Sequence, residues 1–306
     1  MYEMVRYHFG YDDPTAAHRG KRLRPLLLLS VALAEHGTIE AALDAAIAVE
    51  LLHNYSLVHD DIEDGDELRH GRPTLWARFG VAQGINAGDA MCSLSYLTLL
   101  RDVATAAGQA ATMARVLHEA HLAMCEGQSL DIGFESCDFV TMQQYRTMIA
   151  GKTAALFGAA CELGALSALT THQRAKAYAR LGCAYGMAFQ IRDDVLGAWG
   201  STEVTGKPSG ADIARRKWTF PVVWALSRGP SADREIVANA FGRGRPLESH
   251  ETKAVVAALE RLGARGAADA ACDAALEDAD AVARQAALDP EGTIRQFLAQ
   301  GARRVA

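Results

Sequence analysis

The chain has 306 residues, 50% of them apolar, and a formal net charge of −6. That length holds one large domain or two ordinary ones with a sizeable core, and the acidic balance excludes a nucleic-acid binder that works through a general basic field. Pro is scarce, at 8 residues, and Ala abounds, a composition that favours helix. Residues 1–20 read as a loop or a short helix. Leu26 to Glu35 reads as a buried helix that Gly37 stops. Thr38 caps the next helix, with Glu40 in its first turn and Ala48, Leu51, Leu52, Tyr55, Val58 and Ile62 at three-to-four spacing, ending near Asp64-Gly65. Gly71-Arg72-Pro73 reads as a loop, and further helices over 75–79, 83–106, 108–134, 141–169 and 171–198. A Gly- and Pro-containing loop, 200–211, leads to a helix over 214–227. Residues 231–306 hold three or four Ala-rich helices, the last announced by Asp289 as cap and Pro290 at its first position. Without a linker, residues 1–306 are expected to form one all-α domain.

The six Cys (Cys92, Cys125, Cys137, Cys161, Cys183, Cys272) form no CxxC pair, which fits a reduced cytosolic protein without a zinc site. The apolar run Pro25–Leu33 is too short to span a bilayer, and no signal-peptide pattern is present. A cytoplasmic protein without a transmembrane segment is expected.

Two acidic sets interrupt apolar helical segments: His59-Asp60-Asp61-Ile62-Glu63-Asp64 and Gln190-Ile191-Arg192-Asp193-Asp194. Asp60 and Asp64, four apart, share a helix face with Asp61 beside them. Like charges that close need compensation, and hard divalent cations with oxygen ligands supply it. Mg²⁺ takes one or two carboxylates and completes its shell with water and substrate phosphate. An EF-hand is excluded because its third position would be Ile62 and its twelfth Gly71. Asp193-Asp194 follows the apolar Met187-Ala188-Phe189, where a charge needs a partner or a metal. Cations stand in separate runs: Lys21, Arg22 and Arg24; Arg69-His70; Lys152; Lys207; and Arg215-Arg216-Lys217. Each alone reads as surface charge, but two diphosphates with their metals need about this many. Two carboxylate sets facing one cavity ringed by cations would make a site for divalent metals carrying a diphosphate.

The set GKRLRP, HDDIEDGDELRHGRPT, EGQSLD, GKTAALF and FQIRDD…GK…DI…RRK, in order over about residues 18–226, resembles the trans-isoprenyl diphosphate synthases, or polyprenyl synthetases. The resemblance implies an all-α bundle around a deep central cavity, usually a homodimer. It implies isopentenyl diphosphate and an allylic diphosphate as substrates and Mg²⁺, three per active site with diphosphate bound. Carried over, Asp60, Asp61 and Asp64 look like the first metal set and Asp193 and Asp194 like the second. Lys21, Arg24 and His53 look like the isopentenyl diphosphate pocket. Arg69, Lys152, Lys207 and Lys217 look like clamps on the allylic diphosphate, and Thr153 and Gln190 like polar groups near the developing cation. The chain departs from the pattern in three places. Gly197 stands where the second set usually carries a third acid. His70 replaces the second Arg of an Arg-Arg pair and can still donate to phosphate. The family also carries more helix before GKRLRP than residues 1–19 supply.

In this family the product grows beneath the first acidic set. Positions four and five earlier on the helix, Ser56 and Tyr55, lie about 6–7.5 Å deeper. Ser56 leaves room and Tyr55 fills some, a pattern that resembles geranylgeranyl diphosphate synthases. A twenty-carbon product is expected, with fifteen carbons (farnesyl) as the alternative; a third reading makes Tyr55 ordinary core with the floor set by another helix. Rival functions are a class I terpene cyclase, whose N-D-x-x-S-x-x-x-E metal site the chain lacks, and a regulatory subunit, a class that tends to lose the aspartates kept here.

Overall fold

Helix formers fill the periodic segments and Gly or Pro separates them, so the chain folds almost wholly into helices. The computed structural model describes residues 1–12, 20–101, 107–200, 209–242, 244–289 and 291–297, with only the backbone at 107 and 108. The elements are α1 (Tyr2–His8), α2 (Leu23–Ala34), α3 (Ile39–Glu63), β1 (Leu68–Arg69), β2 (Arg72–Pro73), α4 (Leu75–Phe79), α5 (Val81–Leu99) and α6 (Ala107–Phe134). Then come α7 (Met142–Ile149), a π-helical turn (Ala150–Ala154), α8 (Ala155–Ser167), α9 (His172–Trp199), α10 (Ala211–Ala214), α11 (Phe220–Leu226), α12 (Ala232–Phe241), α13 (Ser249–Leu262) and α14 (Ala264–Gln285). One more helical turn covers residues 293–297.

The all-α class holds, and several boundaries move for physical reasons. Residues 2–8 are the short helix. Pro25 does not delay α2, because a first-turn Pro has no hydrogen bond to lose there. Thr38 caps α3 as expected, accepting from Ala41 N–H. The expected loop at Gly71-Arg72-Pro73 is instead half of a two-residue hairpin. Leu68 pairs with Pro73 and Arg69 with Arg72, while His70 and Gly71 turn with φ +51° and +76°, the double positive φ of a type I′ turn. The helix expected over 83–106 ends at Leu99. The single helix expected over 141–169 contains the π-turn, and the one expected over 214–227 is broken between Ala214 and Phe220. Asp289 does not start a helix in the expected way. It takes φ +47°, and its Oδ2 accepts from Arg295 N–H, capping the turn 293–297 from four residues before its start; Pro290 lies outside the described residues.

The chain forms two compact units: Met1–Glu119 with Ala159–Lys176, and Ala120–Gly158 with Ala177–Ala306. In the first, Met4, Tyr7 and Phe9 near the N-terminus pack with Val58 of α3, Leu75 of α4, and Ala87 and Met91 of α5, with Leu51 and Tyr55 against them. In the second, Tyr145, Met148 and Ile149 of α7 join Ala188, Ile191, Val195 and Ala198 of α9 and the apolar face of α11. The stretch Met142–Ser167 is long and apolar enough to cross a membrane, but 78% of its most apolar window is buried inside the protein, as for a core helix.

Candidate functional site

The last two turns of α3 carry the first acidic set. Asp60 and Asp64 are half-buried, whereas Asp61 is 2% exposed. The β1–β2 hairpin folds back and delivers Arg69 to Asp61. Arg69 Nε donates to Oδ1 at 2.9 Å and Oδ2 at 3.1 Å, and Nη2 donates to Oδ1 at 2.7 Å. Burial opposes the Arg69 charge, but the hydrogen bonds and charge of Asp61, with Asp60 and Asp66 nearby, leave its pKa raised. Asp61 therefore ties the hairpin to the helix that carries Asp60 and Asp64.

About two turns earlier on α3, His53 Nε2 lies 3.1 Å from Nη1 of Arg24 on α2. A guanidinium only donates, so Nε2 accepts and His53 is the neutral tautomer with its proton on Nδ1. Burial and the Arg24 charge hold its pKa well below the ordinary 6.5. A second relay runs beside it. Arg22 Nη1 pairs with Glu50 Oε1 at 2.5 Å, Asn54 Nδ2 donates to Glu50 Oε1 and to its carbonyl, and Asn54 Oδ1 thus accepts from His8 Nε2 at 2.9 Å. Burial brings His8 down to about 4, with Arg69, Arg22 and His70 adding to the effect. Arg24 is the cation here that suits an anion, and the neutral His53 can add only the N–H of its Nδ1. Lys21 is exposed just ahead of α2, and His70 is exposed at the hairpin tip. Ser56 Oγ donates to the His53 carbonyl at 2.8 Å. Tyr55 lies edge-on to His59, ring centroids 4.7 Å apart, and rests on the cluster of Met4, Val58 and Met91.

The second unit builds its polar groups around a close helix approach. A Cβ at Gly127 of α6 would stand 2.1 Å from Lys152 N, and one at Gly151 would stand 2.6 Å from the Ala123 carbonyl. Only paired glycines let these backbones meet, and there the ladder widens into the π-turn that carries Lys152 and Thr153. Lys152 Nζ pairs with Asp131 Oδ2 at 2.5 Å. Thr153 Oγ1 donates to Gln190 Oε1 at 2.6 Å, and Gln190 Nε2 donates to Asp194 Oδ1 at 2.9 Å. Asp194 Oδ2 accepts from Tyr145 OH at 2.6 Å and from Phe220 N–H at 2.7 Å. Burial pushes Asp194 up to about 7 against these three donors, with Asp193 adding to the rise. Tyr145 is driven well above 10 by burial and then by the Asp194 charge, so it keeps its proton and donates. Asp193, the next residue back, is exposed. Lys217 is half-buried past α10, its N–H on the Asp212 carbonyl at 2.9 Å. Lys207 lies outside the described residues.

The structure thus joins Thr153, Gln190 and Asp194 in one chain, joins Asp61 to Arg69, and joins Arg24 to His53. Sequence reasoning did not single out Asp131, Tyr145, Asn54 or His8. Asp131 had a signal, as the last residue of EGQSLD, four past Gly127. Among the described residues no three His, Cys, Asp or Glu side chains converge into a ready metal cage. Mg²⁺ that keeps water and finishes its shell with phosphate needs none, and the hard carboxylate oxygens of Asp60 and Asp64 in the first unit, and of Asp193 in the second, are donors of the kind it takes.

Comparison with known proteins agrees with this chemistry. The polyprenyl synthetase family model matches residues 13–259. A (2E,6E)-farnesyl diphosphate synthase of Mycobacterium tuberculosis is 40% identical over 268 residues, 86% of this chain and 74% of the relative. A geranylgeranyl diphosphate synthase of the same organism is 43% identical over 241 residues, 77% and 68% of the two chains. The crystal structure of a polyprenyl synthetase from Streptomyces coelicolor superposes with TM-score 0.89 at 31% identity, covering 99% of this chain and 91% of that one. With the family model matching about four-fifths of its length, the chain belongs to the polyprenyl synthetase family.

Proposed function

We infer that the chain is a trans-prenyltransferase that joins isopentenyl diphosphate head to tail to an allylic diphosphate and releases a short-chain prenyl diphosphate and diphosphate. One observation carries this. In each aspartate pair one member, Asp61 or Asp194, gives its oxygens to protein donors, while the neighbour, Asp60 or Asp193, is less buried. The buried member orients, and the other holds metal. Enzymes of this family use Mg²⁺. We assign its ligands to Asp60, Asp64 and Asp193, with Asp61 and Asp194 fixing the helix ends behind them, and three ions per site with diphosphate bound. When bound, Mg²⁺ neutralises the allylic diphosphate and stabilises charge on it as it leaves.

The other residues do the rest. Arg69, Lys152, Lys207 and Lys217 clamp the allylic diphosphate, and Asp131 holds the Lys152 ammonium in place. Lys21, Arg24, His53 and His70 receive isopentenyl diphosphate. Thr153 and Gln190 turn their oxygens toward the allylic carbocation formed when the C–O bond breaks. The isopentenyl double bond attacks that cation, the new C–C bond forms, and a proton leaves to the departing diphosphate. Apolar walls keep water from the cation. The two units act as one synthase domain, in a cytoplasmic homodimer.

The test is incubation of the protein with Mg²⁺, isopentenyl diphosphate and, separately, dimethylallyl, geranyl and farnesyl diphosphates, with product masses read out. Elongated prenyl diphosphates are expected. Hydrocarbon or alcohol formed without isopentenyl diphosphate would make it a cyclase instead.

The relatives named above include both farnesyl and geranylgeranyl synthases, and we propose the twenty-carbon product. Tyr55→Ala is expected to deepen the space below Asp60 and shift products to longer chains. Chromatography of the dephosphorylated products checks this, and an unchanged distribution makes Tyr55 plain core.

A further inference from the structure

Two left-handed residues flank Lys21. Gly20 has φ +75°, and Arg22 has φ +51° and ψ +34°. Glycine takes that backbone at no steric cost, but a residue with a Cβ is strained there, and such strain persists only where the surroundings impose it. Arg22 also starts α2, a place where Ser, Thr, Asp or Asn would offer a side-chain acceptor to the first N–H groups; Arg22 offers none. The backbone therefore gives no reason for an arginine at this position, whereas the side chain does. Its Nη1 pairs with Glu50 Oε1 of α3 at 2.5 Å, and its guanidinium lies 5.0 Å from the centre of the Phe9 ring. Glu50 Oε1 also accepts from Asn54 Nδ2 at 2.9 Å, and Asn54 is held in turn by His8. Arg22 is thus gripped from two sides, by α3 and by the residue that ends α1, and its charge is already matched by a carboxylate.

We propose that Arg22 is a positioning residue for isopentenyl diphosphate: its contacts with Glu50 and Phe9 fix the turn between Lys21 and Arg24 before the diphosphate arrives, and Arg22 itself does not bind it. This rests on the synthase reading above, which puts Lys21 and Arg24 in that pocket. A turn held in advance removes an ordering cost from binding. Two other roles for Arg22 predict different results. If it were one more cation for the diphosphate, Glu50 would compete with the substrate for it, and removing Glu50 would tighten binding. If it only tied down the N-terminal segment, its loss would lower stability and leave substrate affinity alone.

The experiment measures kcat, KM for each substrate and the melting temperature of the full chain as parent, Arg22→Asn, Glu50→Leu and the double variant. Asn tolerates a left-handed backbone but is too short to keep the Glu50 and Phe9 contacts. Arg22→Asn is expected to raise KM for isopentenyl diphosphate about 10-fold, with kcat and KM for the allylic diphosphate within about twofold of the parent, the pattern of lost uniform binding. Its melting temperature is expected to stay within about 4 °C of the parent. Glu50→Leu is expected to raise the same KM by a similar factor, and the double variant to be no worse than either, because both single changes cut one tether. Arg22→Asn decides by itself if Glu50→Leu does not fold. An Arg22→Asn enzyme with unchanged KM for isopentenyl diphosphate, whatever its melting temperature, overturns the inference and leaves the synthase reading in place. So does a folded Glu50→Leu enzyme whose KM for isopentenyl diphosphate equals or falls below that of the parent. A parent that forms no elongated product, and whose melting temperature isopentenyl diphosphate does not raise, removes the inference and the synthase reading together.

Discussion

Asp60→Asn is expected to lower turnover about 10³-fold, roughly 4 kcal/mol of transition-state stabilisation, at saturating Mg²⁺. A neutral amide is a poor ligand for a hard cation, and the diphosphate then leaves with less of its charge compensated. Helical content should not change. Asp60 is half-buried in the final turn of α3, outside the cluster of Met4, Val58, Leu75 and Met91 that holds the helix to its neighbours. Circular dichroism and a coupled diphosphate-release assay on the same sample separate the two effects. Near-normal turnover in a folded variant would remove Asp60 from the metal site.

Arg69→Met should act on stability as well as on chemistry. It strips three hydrogen bonds and a charge partner from a carboxylate that is 2% exposed. Breaking such a pair from one side costs about 3–5 kcal/mol, because the stranded charge keeps its desolvation penalty. The double variant Arg69→Met/Asp61→Leu removes both charges and is expected to recover most of the loss while remaining inactive. Urea denaturation of the parent, single and double variants measures this. A single variant within about 1 kcal/mol of the parent would show that the pair does not hold the hairpin to α3.

The difference between the two variants reflects how the site could be read from sequence. The spacing of Asp60 and Asp64 and the Thr38 cap are local, and period and capping rules found them. The roles of Asp61 and Asp194 are not local. Nothing near Asp194 in sequence announces that Tyr145, 49 residues earlier, and the Phe220 N–H, 26 residues later, will converge on its Oδ2. The same contact explains the break in the helix expected over 214–227. Phe220 N–H is spent on Asp194 and not on a continuing ladder, and Pro221, at the second position of α11, was a start signal that sequence reading passed over. The hairpin was missed for another reason. His-Gly is an uncommon filling for a two-residue turn, and the flanking strands are only two residues each. The π-turn carried only half its signal in its own stretch, Gly151; the other half, Gly127, sits on α6.

That turn bears on how the chain tolerates changes in length. Read as sequence, residues 142–167 look like one uninterrupted rod, yet the wide turn at Ala150–Ala154 carries a residue more than an ordinary ladder needs. Side chains before and after it are consequently out of phase by about 100°. Deleting any one residue between 150 and 154 would leave a longer, better-formed helix and a mis-set protein. With Thr153 still on Gln190, Tyr145 would swing away from Asp194, and Met148 and Ile149 would leave their layer. Where loops elsewhere absorb an insertion or deletion, this stretch has a reading frame of its own.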